Sequence, residues 1–454
     1  MIAVLPRREL QGIKSNENHM SKTIKTMITR SRITRNVLML MSGTAMAQII
    51  VVVAMPFVTR LFTPEMFGAL SLYQSLSQFF IPVVAWRYEG ALLISEAEEE
   101  SRALFFLGLI IVFFMAFFAS IVTYGFFVFD FMGYAELPSW SPLFMAISLV
   151  GTGYFALYRS WLLRQGAVKG IGLAAISRSG SSAVSKVLAG FFSLGSYGLL
   201  LSEVVGAWAA VLSLRKKSKR LFKGEVGRWN LSSAKRMAKK YKKFAAYEMP
   251  SMLLNQVSAV APVPIIASLY GIKAAGMFGV ARMVFSIPSR QIGNAAADVF
   301  QMELGRLVRV NKVEQVEKLF YSFSGKLTIV ALVLCLAFVF LAPLCVPYVF
   351  GVEWSAAGFM LAEMAPWICA SLVVSAMSRA LSVMEKQEWK IVYDISLLGI
   401  MALVYGYSKN QEFSSVDFVG VLSVGMALAY VIYFFVIAVV VHIDVKARCA
   451  ESHG

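Results

Sequence analysis

Twelve apolar stretches of about 20 residues each recur along the 454-residue chain, and they limit what it can fold into more than any other feature. In hydrocarbon a backbone amide finds no water, so a segment of that length crosses a bilayer only as a helix whose amides are paired internally. The stretches fall at 37–58, 67–85, 103–129, 143–163, 171–192, 197–214, 244–269, 276–300, 327–341, 357–383, 391–407 and 416–441. With 58% of its residues hydrophobic, the chain reads as an all-α polytopic membrane protein.

The basic residues set its orientation. Of 43 Lys and Arg, only Arg60, Lys273 and Lys409 fall in connections on one face. Six lie at membrane depth: Arg87, Arg178, Lys186, Arg282, Arg290 and Lys326. All the others flank the spans on the opposite face. The positive-inside rule then places both termini in the cytoplasm. The net charge of +17 thus reports topology rather than nucleic-acid binding, because the bases border spans instead of forming a groove.

The longest cytoplasmic connection, residues 215–243, is crowded with bases and divides the spans six and six. The expected organisation is a basic N-terminal segment (1–36), an N-lobe (37–214), this linker, a C-lobe (244–442) and a short tail (443–454). Within the first segment no apolar run precedes Val37, which argues against a cleaved signal, and Met20 and Met27 are further candidate starts. A repeat supports two equivalent lobes. Met66-Phe67-Gly68 recurs as Met277-Phe278-Gly279, each opening the second span of its half after a short outside loop. An even number of spans per unit gives the lobes parallel orientation around a central cavity.

A base at the centre of a membrane helix costs about 2.5–3.5 kcal/mol on insertion scales, so it faces a cavity or a partner. The fifth span is the most polar, with Arg178, Ser182, Ser185 and Lys186 sharing a broad face. In the eighth, Arg282 and Arg290 lie eight residues apart, with Pro288 expected to kink the helix between them. Arg87 sits near an interface, and Lys326 begins its span and is expected to snorkel. Against substrate contact stands pairing with acids at the same depth: Glu89, Glu203, Glu248, Asp298, Glu363 and Asp394. Glu248, Ser251 and Asn255 give the seventh span one polar face. Pro250, Pro262 and Pro264 interrupt it, and Pro82 the second, which suggests a hinge. Glu89, Glu248, Asp298 and Asp394 are candidates for ion or proton coupling, with Asn255 beside them on the cavity face.

Other features read more plainly. Trp86, Trp140, Trp161, Trp354, Trp367 and Trp389 lie mostly near span ends and suggest an interfacial belt. The acidic run from Glu96 to Glu100 reads as a solvated loop. Cys335, Cys345, Cys369 and Cys449 lack metal-ligand spacing and read as small buried hydrophobes. The three histidines, His19, His442 and His453, all lie near the ends of the chain, and no nucleophile elbow, zinc pattern or phosphate loop occurs, so neither an enzyme nor a cofactor or metal is expected.

Two groups of residues carry a family resemblance. One is Gly43-Thr44-Ala45, Ala47-Gln48, Thr59-Arg60-Leu61, Thr63-Pro64, Phe67-Gly68 and Arg87-Tyr88-Glu89. The other runs from Lys243-Phe244, Tyr247, Pro250-Ser251, Leu254-Asn255 and Ser258 to Gly276, Phe278-Gly279, Arg282, Pro288, Ile292-Gly293-Asn294-Ala295 and Val299-Phe300. The chain resembles Wzx-type oligosaccharide flippases of the MOP superfamily over residues 36–442. The resemblance implies transport of a polyprenyl-diphosphate-linked glycan for O-antigen, capsule or exopolysaccharide synthesis. The membrane lipid, and a polysaccharide polymerase and chain-length regulator, would be its partners. Arg282, Arg290, Arg178, Lys186 and Arg87 then become candidates to hold the diphosphate. The alternative in the same superfamily is a MATE-like cation-coupled drug exporter, whose first helix is expected to carry an acid; none lies between Asn36 and Val58.

Overall fold

A computed structural model describes residues 32–216, 218, 231–242, 245–246, 249–310, 314–386 and 388–453, omitting the side chains of 32–38, 231–233, 251, 287–290, 314 and 449–453. Every regular element among them is helical. The segment 1–36 and the linker core 219–230 therefore lie largely outside the described residues, as does Glu248.

The first half consists of α1 (Arg32–Leu61), α2 (Pro64–Phe80), α3 (Tyr88–Ile94), α4 (Glu98–Val128), α5 (Ser141–Arg164), α6 (Val168–Phe191) and α7 (Gly195–Arg215). The turn into α2 follows from its sequence. Thr63 caps the helix by accepting from the Met66 amide, Pro64 fills the first position, where no amide is missed, and Glu65 lies in the positive first turn. At the far end Pro82 sits in a 3₁₀ turn, Ile81–Val83. There Arg87 takes the left-handed conformation, φ 63°, immediately before α3.

The second half consists of α8 (Leu231–Lys240), α9 (Met249–Val260), α10 (Pro262–Arg309), α11 (Glu314–Phe350), α12 (Ser355–Glu363), α13 (Ala365–Met377), α14 (Arg379–Val383), α15 (Glu388–Ser408) and α16 (Ser415–His453). Gly271, at φ 80° and ψ 172°, reverses α10 in a conformation that only glycine adopts without strain. The backbone stays helical through 288, so the sharp break lies at Gly271 rather than at Pro288.

Among the described residues, ten stretches are long and apolar enough to cross a membrane. Two differences separate this from twelve. Residues 252–286 form one apolar stretch containing the Gly271 reversal, and α6 is too polar to qualify although it occupies the expected place. Helix α6 packs along α1 and α7, and a methyl group on Gly43 of α1 would overlap the backbone of Gly172 in α6. Such close approach of small residues drives association where no hydrophobic effect operates between helices.

Helices α1 to α7 pack mainly on one another, as do α10 to α16, while α2 lies against α10. That crossing joins the two copies of the repeat. Methyl groups on Gly68, Gly276 and Gly279 would overlap Ile272, Pro64 and Ser71 respectively, and Lys273 pairs with Glu65 at 3.3 Å.

The amphipathic α8 docks on α4, with Met237 and Tyr241 buried beside Tyr88 and Leu104. The run 96–100 is consequently not a free loop. Glu100 receives bonds from Lys240 Nζ at 2.6 Å and Tyr241 Oη at 3.2 Å, and this carboxylate holds the Lys240 ammonium above the usual lysine range. The aromatic belt also needs correction, since Trp161 and Trp354 are fully buried, whereas Trp86, Trp140 and Trp389 are exposed.

Candidate functional site

A cavity of about 260 Å³ lies between α1, α2, α6, α7 and α10. Its polar lining comes from Gln74 and Ser71 of α2, Arg178, Ser179, Ser182 and Lys186 of α6, and Glu203 of α7. The polar stripe of α6 thus faces inward, which resolves how a helix so poor in apolar residues is housed. Gly206 fixes its register, because the absent side chain leaves room for the Arg178 carbonyl 3.0 Å from where a methyl group would stand. One turn away on α7, Glu203 meets Lys186, Nζ to Oε1 at 2.8 Å, and the same oxygen accepts from Gln74 Nε2 at 3.1 Å. Two bases against one carboxylate leave the cavity with a formal excess of one positive charge.

The structure brings Arg178 and Lys186 together, while Arg87 and Arg282 are not part of this lining. Arg282 directs its guanidinium out of this lining, donating from Nη2 to the Ala259 carbonyl at 2.6 Å. This bond supports the last turn of α9, where carbonyls lack helical partners. For Arg290 the backbone is helical and the side chain lies outside the described residues. Arg87 bonds Glu89, Nη1 to Oε1 at 3.0 Å, at the base-rich end of α3. Asp298 is exposed on α10, and Lys326 is exposed within α11 rather than at its start, since that helix begins at Glu314.

A second polar pair lies among the C-terminal helices. Asp394 of α15 is buried; its Oδ1 accepts from Asn255 Nδ2 of α9 at 3.0 Å, and its carbonyl accepts from Ser258 Oγ at 3.3 Å. Among the described residues no group of histidine, cysteine and acidic side chains could hold a metal ion.

The family model described as "Polysaccharide biosynthesis protein" matches residues 33–300. The chain belongs to that family. The match takes in the whole cavity lining, from α1 to the first part of α10. No curated protein sequence matches it. Among solved structures it resembles an inward-facing multidrug resistance MATE family transporter of the MOP superfamily (TM-score 0.67, 12% identity, 91% of this chain and 99% of that one). It also resembles the lipid II flippase MurJ in an inward closed conformation (0.66, 12%, 90% and 92%). A third is a MOP superfamily transporter from Pyrococcus furiosus described as having a binding pocket of reverse polarity (0.51, 15%, 92% and 95%). At these identities the likeness establishes the fold, an all-α MOP-type membrane transporter or flippase fold, and the family ties it to polysaccharide biosynthesis. The solved neighbours named above are themselves described as transporters and a flippase.

Gln74 and Glu203 escaped the sequence reading as site residues. Glu203 was visible as an acid at membrane depth, and its spacing from Lys186 suits neighbouring antiparallel helices. Gln74 carried no signal beyond sharing a helical face with Ser71.

Proposed function

We propose that this protein is a flippase moving a polyprenyl-diphosphate-linked oligosaccharide from the cytoplasmic to the periplasmic leaflet of a bacterial inner membrane. The observation that carries this reading is the inward-facing Arg178 and Lys186 in one cavity at the boundary between the two sets of helices. Guanidinium and ammonium groups bind phosphate oxygens strongly where water is scarce. A cationic drug would instead meet repulsion there. The headgroup enters from the base-rich face, the polyprenyl tail stays in lipid, and two six-helix lobes rock about the α2–α10 crossing to expose the sugar outside.

Coupling is assigned to the Asn255–Asp394 pair, a buried carboxylate with a single amide donor on its side chain. Glu89 is occupied by Arg87, Asp298 lies away from this pair, and Glu248 is a further candidate acid on the seventh span. A polymerase and a chain-length regulator are the partners that such a product requires.

Deleting the gene should abolish a surface or secreted polysaccharide and leave its lipid-linked repeat unit on the cytoplasmic leaflet, with dye sensitivity unchanged. Intact polysaccharide together with greater sensitivity to cationic dyes would identify a drug exporter instead.

A further inference from the structure

We infer that Glu203 is a resident counter-anion, which holds Lys186 in the empty cavity and is displaced from it by the diphosphate of the substrate. This rests on the flippase reading and adds to it the group that limits affinity and drives release.

Lys186, Glu203 and Gln74 come from α6, α7 and α2, and they converge on one carboxylate oxygen. The side chains of Lys186 and Glu203 retain 19% and 23% of their exposure, and both line the cavity. The pair is therefore open to a ligand rather than sealed inside packing. An ammonium left alone at this depth would bear a large desolvation cost, and Glu203 removes it while the site is empty. Arg178, about two turns along α6, remains to supply the attractive charge.

A diphosphate carries more negative charge than a carboxylate and more oxygens to share among donors, so it competes for the same ammonium. Gln74 gives the displaced carboxylate a donor it keeps throughout. When the substrate leaves, Glu203 returns to Lys186 and disfavours rebinding. A site with two uncompensated bases would bind a diphosphate tightly and let it go slowly, and strong binding of the ground state does not speed turnover. Glu203 relieves that retention.

The test uses the full-length protein in phosphatidylcholine nanodiscs with farnesyl diphosphate as probe and farnesol as the uncharged control. Glu203→Gln is expected to bind farnesyl diphosphate about tenfold more tightly than wild type, with farnesol binding unchanged, and to export less glycan in cells. Lys186→Gln should weaken diphosphate binding several-fold, and in the double variant the gain from Glu203→Gln should vanish. Glu203→Asp, which keeps the charge but shortens the reach, should give a smaller gain. Gln74→Leu, which leaves the carboxylate only Lys186, should weaken binding. These two variants carry the test should Glu203→Gln fail to fold.

Saturable wild-type binding that Glu203→Gln and Glu203→Asp leave unchanged or weaken would overturn the inference and leave the flippase reading intact. So would a tenfold gain that persists without Lys186. No binding of farnesyl diphosphate by wild type or any variant would remove both the inference and the flippase reading, because recognition of a prenyl diphosphate is common to them.

Discussion

The Trp354 indole donates from Nε1 to the Thr59 carbonyl at 3.1 Å, joining the 3₁₀ turn after α11 to the end of α1 across 295 residues of sequence. Thr59 belongs to the last turn of α1, whose carbonyls have no helical donor, so the indole satisfies a group that would otherwise be orphaned. The same ring meets Phe67 edge to face, with centroids 5.0 Å apart. Phe67 belongs to the first copy of the repeat, and the glycine contacts of the second copy lie alongside. The two halves are thus fastened together at the end of the molecule opposite the basic connections.

Removing that fastening should be costly. Trp354→Ala deletes a fully buried ring and is expected to cost about 3 kcal/mol. Trp354→Phe preserves most of the packing but strands the Thr59 carbonyl, at about 1 kcal/mol. Thermal unfolding of the purified protein in detergent measures both. Equal melting temperatures for wild type and Trp354→Ala would show that the ring contributes nothing to the joint.

The α2–α10 crossing depends on absent side chains. A methyl group at Gly276 would overlap the Pro64 carbonyl, which is backbone and cannot turn aside. Gly276→Leu should therefore wedge the halves apart at this end. A cysteine placed at Ser71, which is buried in the crossing, should become reactive toward an impermeant maleimide in the Gly276→Leu background while staying protected in the parent. Continued protection would mean that the crossing accommodates the added bulk elsewhere.

Most helices were legible in the sequence because each has its own apolar run, α6 being readable instead from its polar face, and the two copies of the repeat carry glycines that meet in one crossing. What escaped was pairing between distant segments. Nothing local distinguishes Trp354, buried against α1, from Trp389, which is exposed. The Glu96–Glu100 run likewise reads as solvated until α8 folds back and Lys240 reaches Glu100. Among the candidates, the polar face of α6 was readable from its period, and Arg178 and Lys186 do line one cavity. The bond from Arg282 to the Ala259 carbonyl was not readable, because that carbonyl lies at the α9–α10 break and sequence spacing on α10 does not reveal the break's position.

This difference between bases predicts two distinct phenotypes. Arg178→Ala should lower glycan export more than tenfold while the protein stays in the membrane near its normal level, and Arg178→Lys should restore part of it by keeping the charge. Arg282→Ala should act through the fold instead, removing a bond at the α9 terminus whose acceptor water can still reach and reducing the amount of protein modestly, about 0.5–1.5 kcal/mol being the net worth of such a bond. Quantitative immunoblotting of membranes beside polysaccharide output separates the two. A normal level of Arg282→Ala with no export would return that residue to the substrate path.

Orientation follows from the distribution of bases, and the structure improves the choice of probes. Ser218, within the basic connection, is fully buried and would stay unlabelled whichever side it faced. Lys239 on α8 is exposed, as are Glu136 before α5 and Glu353 in the turn after α11. Single cysteines at 136 and 353, in a cysteine-free background, should react with an impermeant thiol reagent added outside intact cells, and one at 239 should react only after permeabilisation. The charge asymmetry demands this result, because moving basic segments across the membrane against its potential costs about 2.3 kcal/mol per charge for each 100 mV. Labelling of position 239 from outside would invert the topology and, with it, the direction in which the cavity receives its substrate.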